Sequence, residues 1–147
     1  MRPRSIQFLA IALTALALVP SGTHFFELPN KIGLPRDHHF IVQQIYRGWS
    51  GFGAVLFGAI GADLALAIVL VGRRPAFWFA MLGFALEAAT LAIFLTWTYP
   101  ANQATLNWTA ASHAWQQLRA QWEYSHATDA ILTFGALCSV TLAALKS

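Results

Sequence analysis

Along the chain, apolar residues gather in four runs, at about Ser5–Thr23, Trp49–Val71, Ala76–Trp97 and Tyr124–Leu145. Each is close to the roughly 20 residues that a helix needs to cross a hydrocarbon core. None alternates with the period of two expected of a barrel strand. The runs therefore predict helices, which satisfy every backbone group within their own segment. The breaks between them are unequal. Gly72–Pro75 is a tight turn, whereas about His24–Gly48 and Thr98–Glu123 are long connections on the opposite side. The pattern predicts an all-α integral membrane four-helix bundle, one transmembrane domain over residues 1–147 with up-down topology and two long outer-face loops.

Composition agrees. Hydrophobic residues make up 57% of the 147 and charged residues 10%, against roughly 45–50% and about 25% in soluble domains. A soluble domain of this size would need more charge on its surface. The net charge is +3, but no basic run is long enough to follow a phosphate backbone, so nucleic acid is excluded as a partner. The single cysteine, Cys138, rules out an intramolecular disulfide framework and a Cys-rich metal site. It reads as a small packing residue.

Arg2 and Arg4 before an apolar run ending in Pro20-Ser21-Gly22 have the outline of a secretory signal peptide. No A-x-A cleavage site follows, so the run is read as a retained helix. Arg2, Arg4, Arg73, Arg74 and Lys146 fall on one side of the predicted membrane, and Lys31, Arg36, Arg47 and Arg119 on the other. The crowded Arg73-Arg74 turn and the N-terminal pair place both termini in the cytoplasm, in a bacterial inner membrane. Tyr46, Trp49, Trp97, Tyr99, Trp108, Trp115, Trp122 and Tyr124 then lie toward the outer face. An aromatic belt accounts for some of them, but not for the polar chemistry that collects on the same side.

That chemistry has a mirrored form. His24-Phe-Phe-Glu27 lies where the first helix leaves the membrane, and Glu123-Tyr-Ser-His126 where the fourth enters it. At i,i+3 spacing each pair shares one helix face, and the topology puts both at one depth. The spacing is similar to the Glu-x-x-His logic of di-iron carboxylate bundles, which makes His24, Glu27, Glu123 and His126 candidate ligands of a metal ion or haem. A metal-free functional cluster fits equally, and so does a structural network in which Lys31, Arg47 or Arg119 pairs with the carboxylates. Asp63 and Glu87 sit mid-span, where a charge is costly, so both are expected to face the bundle interior, as part of a proton path or as bonded neutral acids. Asp129 lies one turn deeper than His126. His38-His39 reads as a solvated loop pair, and Trp115–Trp122 as an interfacial stretch.

The segments His24-Phe-Phe-Glu27-Leu-Pro-Asn-Lys31, Gln43-Gln-Ile-Tyr46-Arg-Gly-Trp49, Pro100-Ala-Asn102-Gln-Ala-Thr105 and Leu118-Arg119-Ala-Gln-Trp122-Glu123-Tyr-Ser-His126 resemble a bacterial family of four-helix membrane proteins grouped with the fungal anthrone oxygenases. The resemblance spans nearly the whole chain. It implies a four-helix membrane protein that oxidises a hydrophobic, phenolic or polycyclic substrate. Pro100, Asn102, Trp122, Glu123 and His126 match the family's motifs.

Two readings follow. In the first, a substrate from the lipid bilayer meets His24, Glu27, Asn102, Glu123 and His126, with Arg119 nearby. A histidine removes an acidic C–H proton, Glu123 orients the imidazole, Asn102 stabilises an oxyanion, and O2 attacks the carbanion. This route needs no cofactor, and a metal or haem variant would use the same histidines. In the second, the protein is a non-catalytic accessory subunit, or a haem-, quinone- or metal-binding protein, in a homo-oligomer or membrane complex.

Overall fold

The computed structural model describes residues 3–147. Met1 and Arg2, counted above among the basic flanks, lie outside the described residues. The elements run α1 (Pro3–Lys31), α2 (Arg36–Gln43), α3 (Phe52–Val69), α4 (Ala76–Ile93), a π-helical turn (Phe94–Thr98), α5 (Tyr99–Ala104) and α6 (Trp115–Leu145). Short 3-10 turns occupy Gln44–Tyr46 and Trp49–Gly51, and no strand occurs among the described residues. Four helical stretches, Arg4–Lys31, Trp49–Val69, Ala76–Ala104 and Trp115–Leu145, are long and apolar enough to cross a membrane. The chain is an all-α integral membrane bundle.

The four long helices form a ring in which α1 packs against α3 and α6, and α4 packs against the same two. Side-chain bonds at three levels fix the alternating directions. At the end carrying the termini, Gln7 donates to Ser147 Oγ at 2.6 Å. At mid-height the Thr14 hydroxyl faces Asp63 at 3.4 Å. At the loop end, Gln121 donates to the Trp97 carbonyl at 2.8 Å, and the Thr98 and Ser125 hydroxyls meet at 2.7 Å.

The ring closes tightly because its inner face is small. Ala10, Ala62, Ala67, Ala76, Ala80 and Ala143 line the buried core, and small residues let helices approach closely where lipid supplies no hydrophobic drive. Gly83 is the extreme case, since a Cβ there would come within 2.6 Å of Val140 Cγ1. Leu66 and Leu70 are the largest side chains that this core fully buries, and many other large residues face outward. Phe8, Leu16, Phe57, Ile68, Ile131 and Phe134 are all exposed, as a lipid-facing surface requires. Cys138 is exposed too, so it belongs to this outer surface and is not the packing residue expected.

The helices overrun their predicted ends, which shortens both long connections. The α1 helix continues through Pro20 and Pro29 to Lys31. A proline removes one helical hydrogen bond and crowds the preceding turn, but a membrane helix tolerates one because its backbone gains no water by ending. On the other side, Pro100 follows the π-turn and starts α5. Its ring would clash with the carbonyl four residues back, and the wider turn relieves that clash without ending the helix. The polar stretch from Trp115 is simply the first turns of α6.

Candidate functional site

At the loop end the side chains of α1, the Gln44–Tyr46 turn and α6 converge on one buried amine. Lys31, the last residue of α1, is 3% exposed. Its Nζ lies 3.3 Å from Glu123 Oε1 and 3.5 Å from Glu27 Oε2, and it donates to the Tyr46 hydroxyl at 2.7 Å. The same nitrogen stands 4.4 Å over the Tyr46 ring and 4.8 Å over Trp122. Tyr46 in turn donates to Glu27 Oε2. Burial first, then the bond to Glu27 and the charges of Glu27 and Glu123, push the Tyr46 phenol above its ordinary range, so it acts as a neutral donor. Glu123 is 0% exposed. A charge so deeply buried is tolerable only with a partner, and Lys31 is that partner.

Below the amine sits a histidine pair. His24 and His126 stack with ring centroids 4.3 Å apart and planes inclined at 27°. Trp122 meets both rings edge-on, at 4.8 Å from His24 and 4.3 Å from His126. Tyr46 and Trp49 flank His24 at 4.5 and 5.7 Å. His24 is buried, and His126 is half-buried.

Asn102 reaches the site through tryptophan. Its Oδ1 accepts Trp122 Nε1–H at 2.8 Å and Trp108 Nε1–H at 3.2 Å, so one amide oxygen anchors two indoles. Trp108 is delivered by a strained turn in which Leu106, Asn107 and Trp108 all take positive φ, at 47°, 54° and 62°. Single left-handed non-glycine residues are uncommon, and three in succession are held by bonds from both sides. Asn107 N–H donates to the Asn102 carbonyl at 2.7 Å, and Trp108 N–H to Thr105 Oγ1 at 3.1 Å. Arg119 lies at the rim, where it donates to the Leu34 carbonyl at 2.6 Å and covers Trp115 at 4.8 Å. It ties the α1–α2 connection to α6.

His24, Glu27, Glu123 and His126 therefore occupy one region, with Asn102 and Arg119 at its edge, but their pairing differs from the mirrored expectation. His24 Nδ1 stands a loose 3.9 Å from Glu27 Oε2. Glu123 makes no ion pair with His126 on its own helix. Its neighbours are Lys31 and His39, whose Nδ1 is 4.0 Å away. His39 is 0% exposed, which corrects its reading as a solvated loop residue, whereas His38 is exposed as expected. Residue 39 falls on the inner face of α2, and an eight-residue amphipathic helix was not apparent in so short a segment. The nitrogen of Gln43 lies 3.1 Å from His39 Nε2. Burial, and after it the positive charges of Arg119 and Lys31, lower the His39 pKa to about 4.

The arrangement does not fit a metal ion. Among the described residues no three His, Cys, Asp or Glu side chains are placed to hold one, because the Lys31 amine stands between Glu27 and Glu123 where a cation would sit. Two open depressions adjoin this end. One, of about 370 Å³, is lined by Tyr99, Asn102, Gln103, Leu106 and Asn107. A larger one, about 550 Å³, runs between Trp97 and Tyr124 past Gln121 and Ser125. Lys31 takes the place that the sequence offered it, as a cation paired with the carboxylates. Tyr46, His39 and Trp108 are members of the site that the sequence did not single out for chemistry.

No protein-family model, curated protein or solved structure matches this chain.

Replacing Lys31 by Met should strand Glu123 as an unpaired buried charge and lower stability by about 3–5 kcal/mol. Adding Glu123→Leu to Lys31→Met should restore most of that loss, read as the unfolding midpoint in detergent micelles. Equal losses in the single and double variants would contradict the pairing. His39 makes a separate prediction. Its folded pKa of about 4 lies below its ordinary 6.5, so the unfolded chain takes the proton first. The stability owed to neutral His39 is whole above about pH 6.5 and is lost as pH falls toward 4. His39→Gln should flatten the decline of the unfolding midpoint over that window, and an unchanged slope would show that His39 does not titrate as the structure requires.

Proposed function

We propose that this membrane protein oxidises a hydrophobic aromatic substrate with O2 at its loop end, in the manner of the anthrone oxygenases that its motifs resemble. The observation that supports this reading is the His24–His126 stack, walled by Trp122, Tyr46 and Trp49. Two imidazoles in an aromatic enclosure at the mouth of a lipid-embedded bundle suit a flat, apolar molecule with an acidic C–H. His126 removes a proton from a methylene carbon that lies between two aromatic rings and is conjugated through them to a carbonyl. The carbanion gives its electrons to O2 and forms a C–O bond. The resulting peroxide takes the proton back, and loss of water leaves a ketone, so that R2CH2 and O2 become R2C=O and H2O. No external reductant is consumed. Asn102 positions Trp122 against the two rings, and Glu27 faces His24.

The internal matching of Lys31 with Glu27 and Glu123 favours a second reading, in which the cap is structural and the chain is an accessory subunit. Oxygen uptake by the purified protein in lipid nanodiscs, with anthrone as the probe, separates the two. Catalysed uptake yielding anthraquinone is expected. His126→Ala should lower it by about 10²-fold or more with unchanged helicity, and exposed His38→Ala should leave it within about twofold. No uptake above the spontaneous rate would put the accessory reading ahead.

We also place both termini on the cytoplasmic side of a bacterial inner membrane. Arg73 and Arg74 crowd the tight turn at the terminal end, whereas Lys31 at the other end is buried and paired. In intact cells an impermeant thiol reagent should label Asn107→Cys and spare Gly72→Cys, in a background where Cys138 is replaced by Ser. The opposite pattern would invert the molecule.

A further inference from the structure

The middle of the bundle holds a second polar cluster that the loop-end site does not use. Asp63 of α3 and Glu87 of α4 are both 0% exposed, and Asp129 of α6 is 7% exposed. Thr14 of α1 closes the fourth side, with its hydroxyl 3.4 Å from each Asp63 oxygen. Every helix of the ring thus contributes a polar side chain at one level. Asp63 Oδ2 lies 3.7 Å from the position that a Cβ on Gly83 would take. Gly83 is one turn from Glu87 on the same face of α4, and Glu87 is within electrostatic reach of both Asp63 and Asp129.

Glu87 points to a missing ligand in its own right. It is wholly buried, and neither of its oxygens receives a hydrogen bond; Asp129 Oδ1 is in the same position. The nearby Thr90 hydroxyl is engaged by the Glu87 backbone carbonyl at 2.8 Å. Six carboxyl oxygens are therefore served by one hydroxyl, that of Thr14. The groups that face the cluster are Thr14 from α1, Asp63 from α3, Glu87 from α4 and Asp129 from α6, with His126 one turn nearer the loop end. The ion pairs among the described residues involve Glu27, Asp37 and Glu123 and none of these three acids. Three ionised carboxylates in hydrocarbon would repel one another and lack hydration. A bound metal ion is not the remedy, because no three acids or histidines among the described residues have the placement to hold one. The proton supplies what is lacking, since each one added turns an acceptor into a donor and removes a charge.

We propose that Asp63, Glu87 and Asp129 form an intramembrane proton-binding site, in which the O–H of one carboxylic acid donates to an oxygen of the next. Carboxyl groups that share a site in this way titrate as a unit. The site is independent of the oxidoreductase reading. Its closest approach to the loop end is the i,i+3 step from Asp129 to His126 on α6.

Infrared spectra of the full chain in lipid nanodiscs test this. At neutral pH the wild type should show the C=O stretch of protonated carboxyl groups, shifted down in D2O. Glu87→Gln should remove part of that band, as should Asp63→Asn and Asp129→Asn. Should the variants fail to fold, the band of the wild type itself is followed as pH is raised, and its progressive loss is expected. A wild-type spectrum without the band overturns the proposal. So does a band that survives the substitutions or, where the variants do not fold, the rise in pH.

Discussion

The structure depends on burying one lysine. A primary ammonium at the end of a membrane helix would ordinarily extend its flexible stem into water, yet Lys31 turns inward and is held by two carboxylates, a phenol and two aromatic faces. Those partners come from three places in the chain. Glu27 is one turn back on α1, Glu123 is on α6, and Tyr46 is in the segment that crosses from α1 to α3. Helical side chains lean toward the N-terminus of their own helix, so Lys31 reaches back toward His24. The same contact therefore sets the adjacency of α1 and α6 and the level at which the two histidines meet.

Trp122 turns this electrostatic clamp into a defined shape. Its ring lies under the Lys31 amine and meets both histidines, while its N–H is fixed by Asn102. Asn102 sits on α5, which exists because Pro100 is accommodated by a π-turn and does not end the fourth span. A local backbone adjustment thus decides where an indole stands on another helix. The strained Leu106–Trp108 turn serves the same amide oxygen from the other side. Left-handed residues in such a turn are costly and persist where surrounding contacts determine them, and here those contacts are the two indole bonds.

The sequence showed the architecture well and the partnerships poorly. Four spans follow from length and apolar content, which membrane solvation makes nearly decisive. Their ends do not, because Pro20 and Pro100 resemble terminators, yet α1 runs through the one and a wider turn accommodates the other. The convergence of His24, Glu27, Glu123 and His126 was readable from equal depth and i,i+3 spacing. Lys31 was one of three cations that could pair with the carboxylates, but the sequence did not choose it over Arg47 or Arg119. Lys31 and Glu123 are far apart in sequence, and a cation after an apolar run looks like ordinary membrane-flanking charge. His39 was hidden for a similar reason, since burial of one of two adjacent histidines depends on how a short helix lies across the bundle. Asp63 and Glu87 were correctly expected to face inward, because lipid offers a carboxyl group no partner.

Along α6 these arguments meet on one stripe. Glu123, His126, Asp129 and Thr133 recur at spacings of three and four, and Glu123, Asp129 and Thr133 are buried. On the opposite face Tyr124, Ile131 and Phe134 are exposed. In water such a helix would turn its polar stripe outward, but in a bilayer the preference reverses. Each polar group on the stripe then needs a matching group from a neighbouring helix. Lys31 answers Glu123, His24 answers His126, and Glu87 stands beside Asp129. The matches come from α1 at the loop end and from α4 at mid-height, so α6 must lie between those two helices. The order of the ring is thus fixed by polar contacts that the small, uniform alanine core could not specify by shape alone.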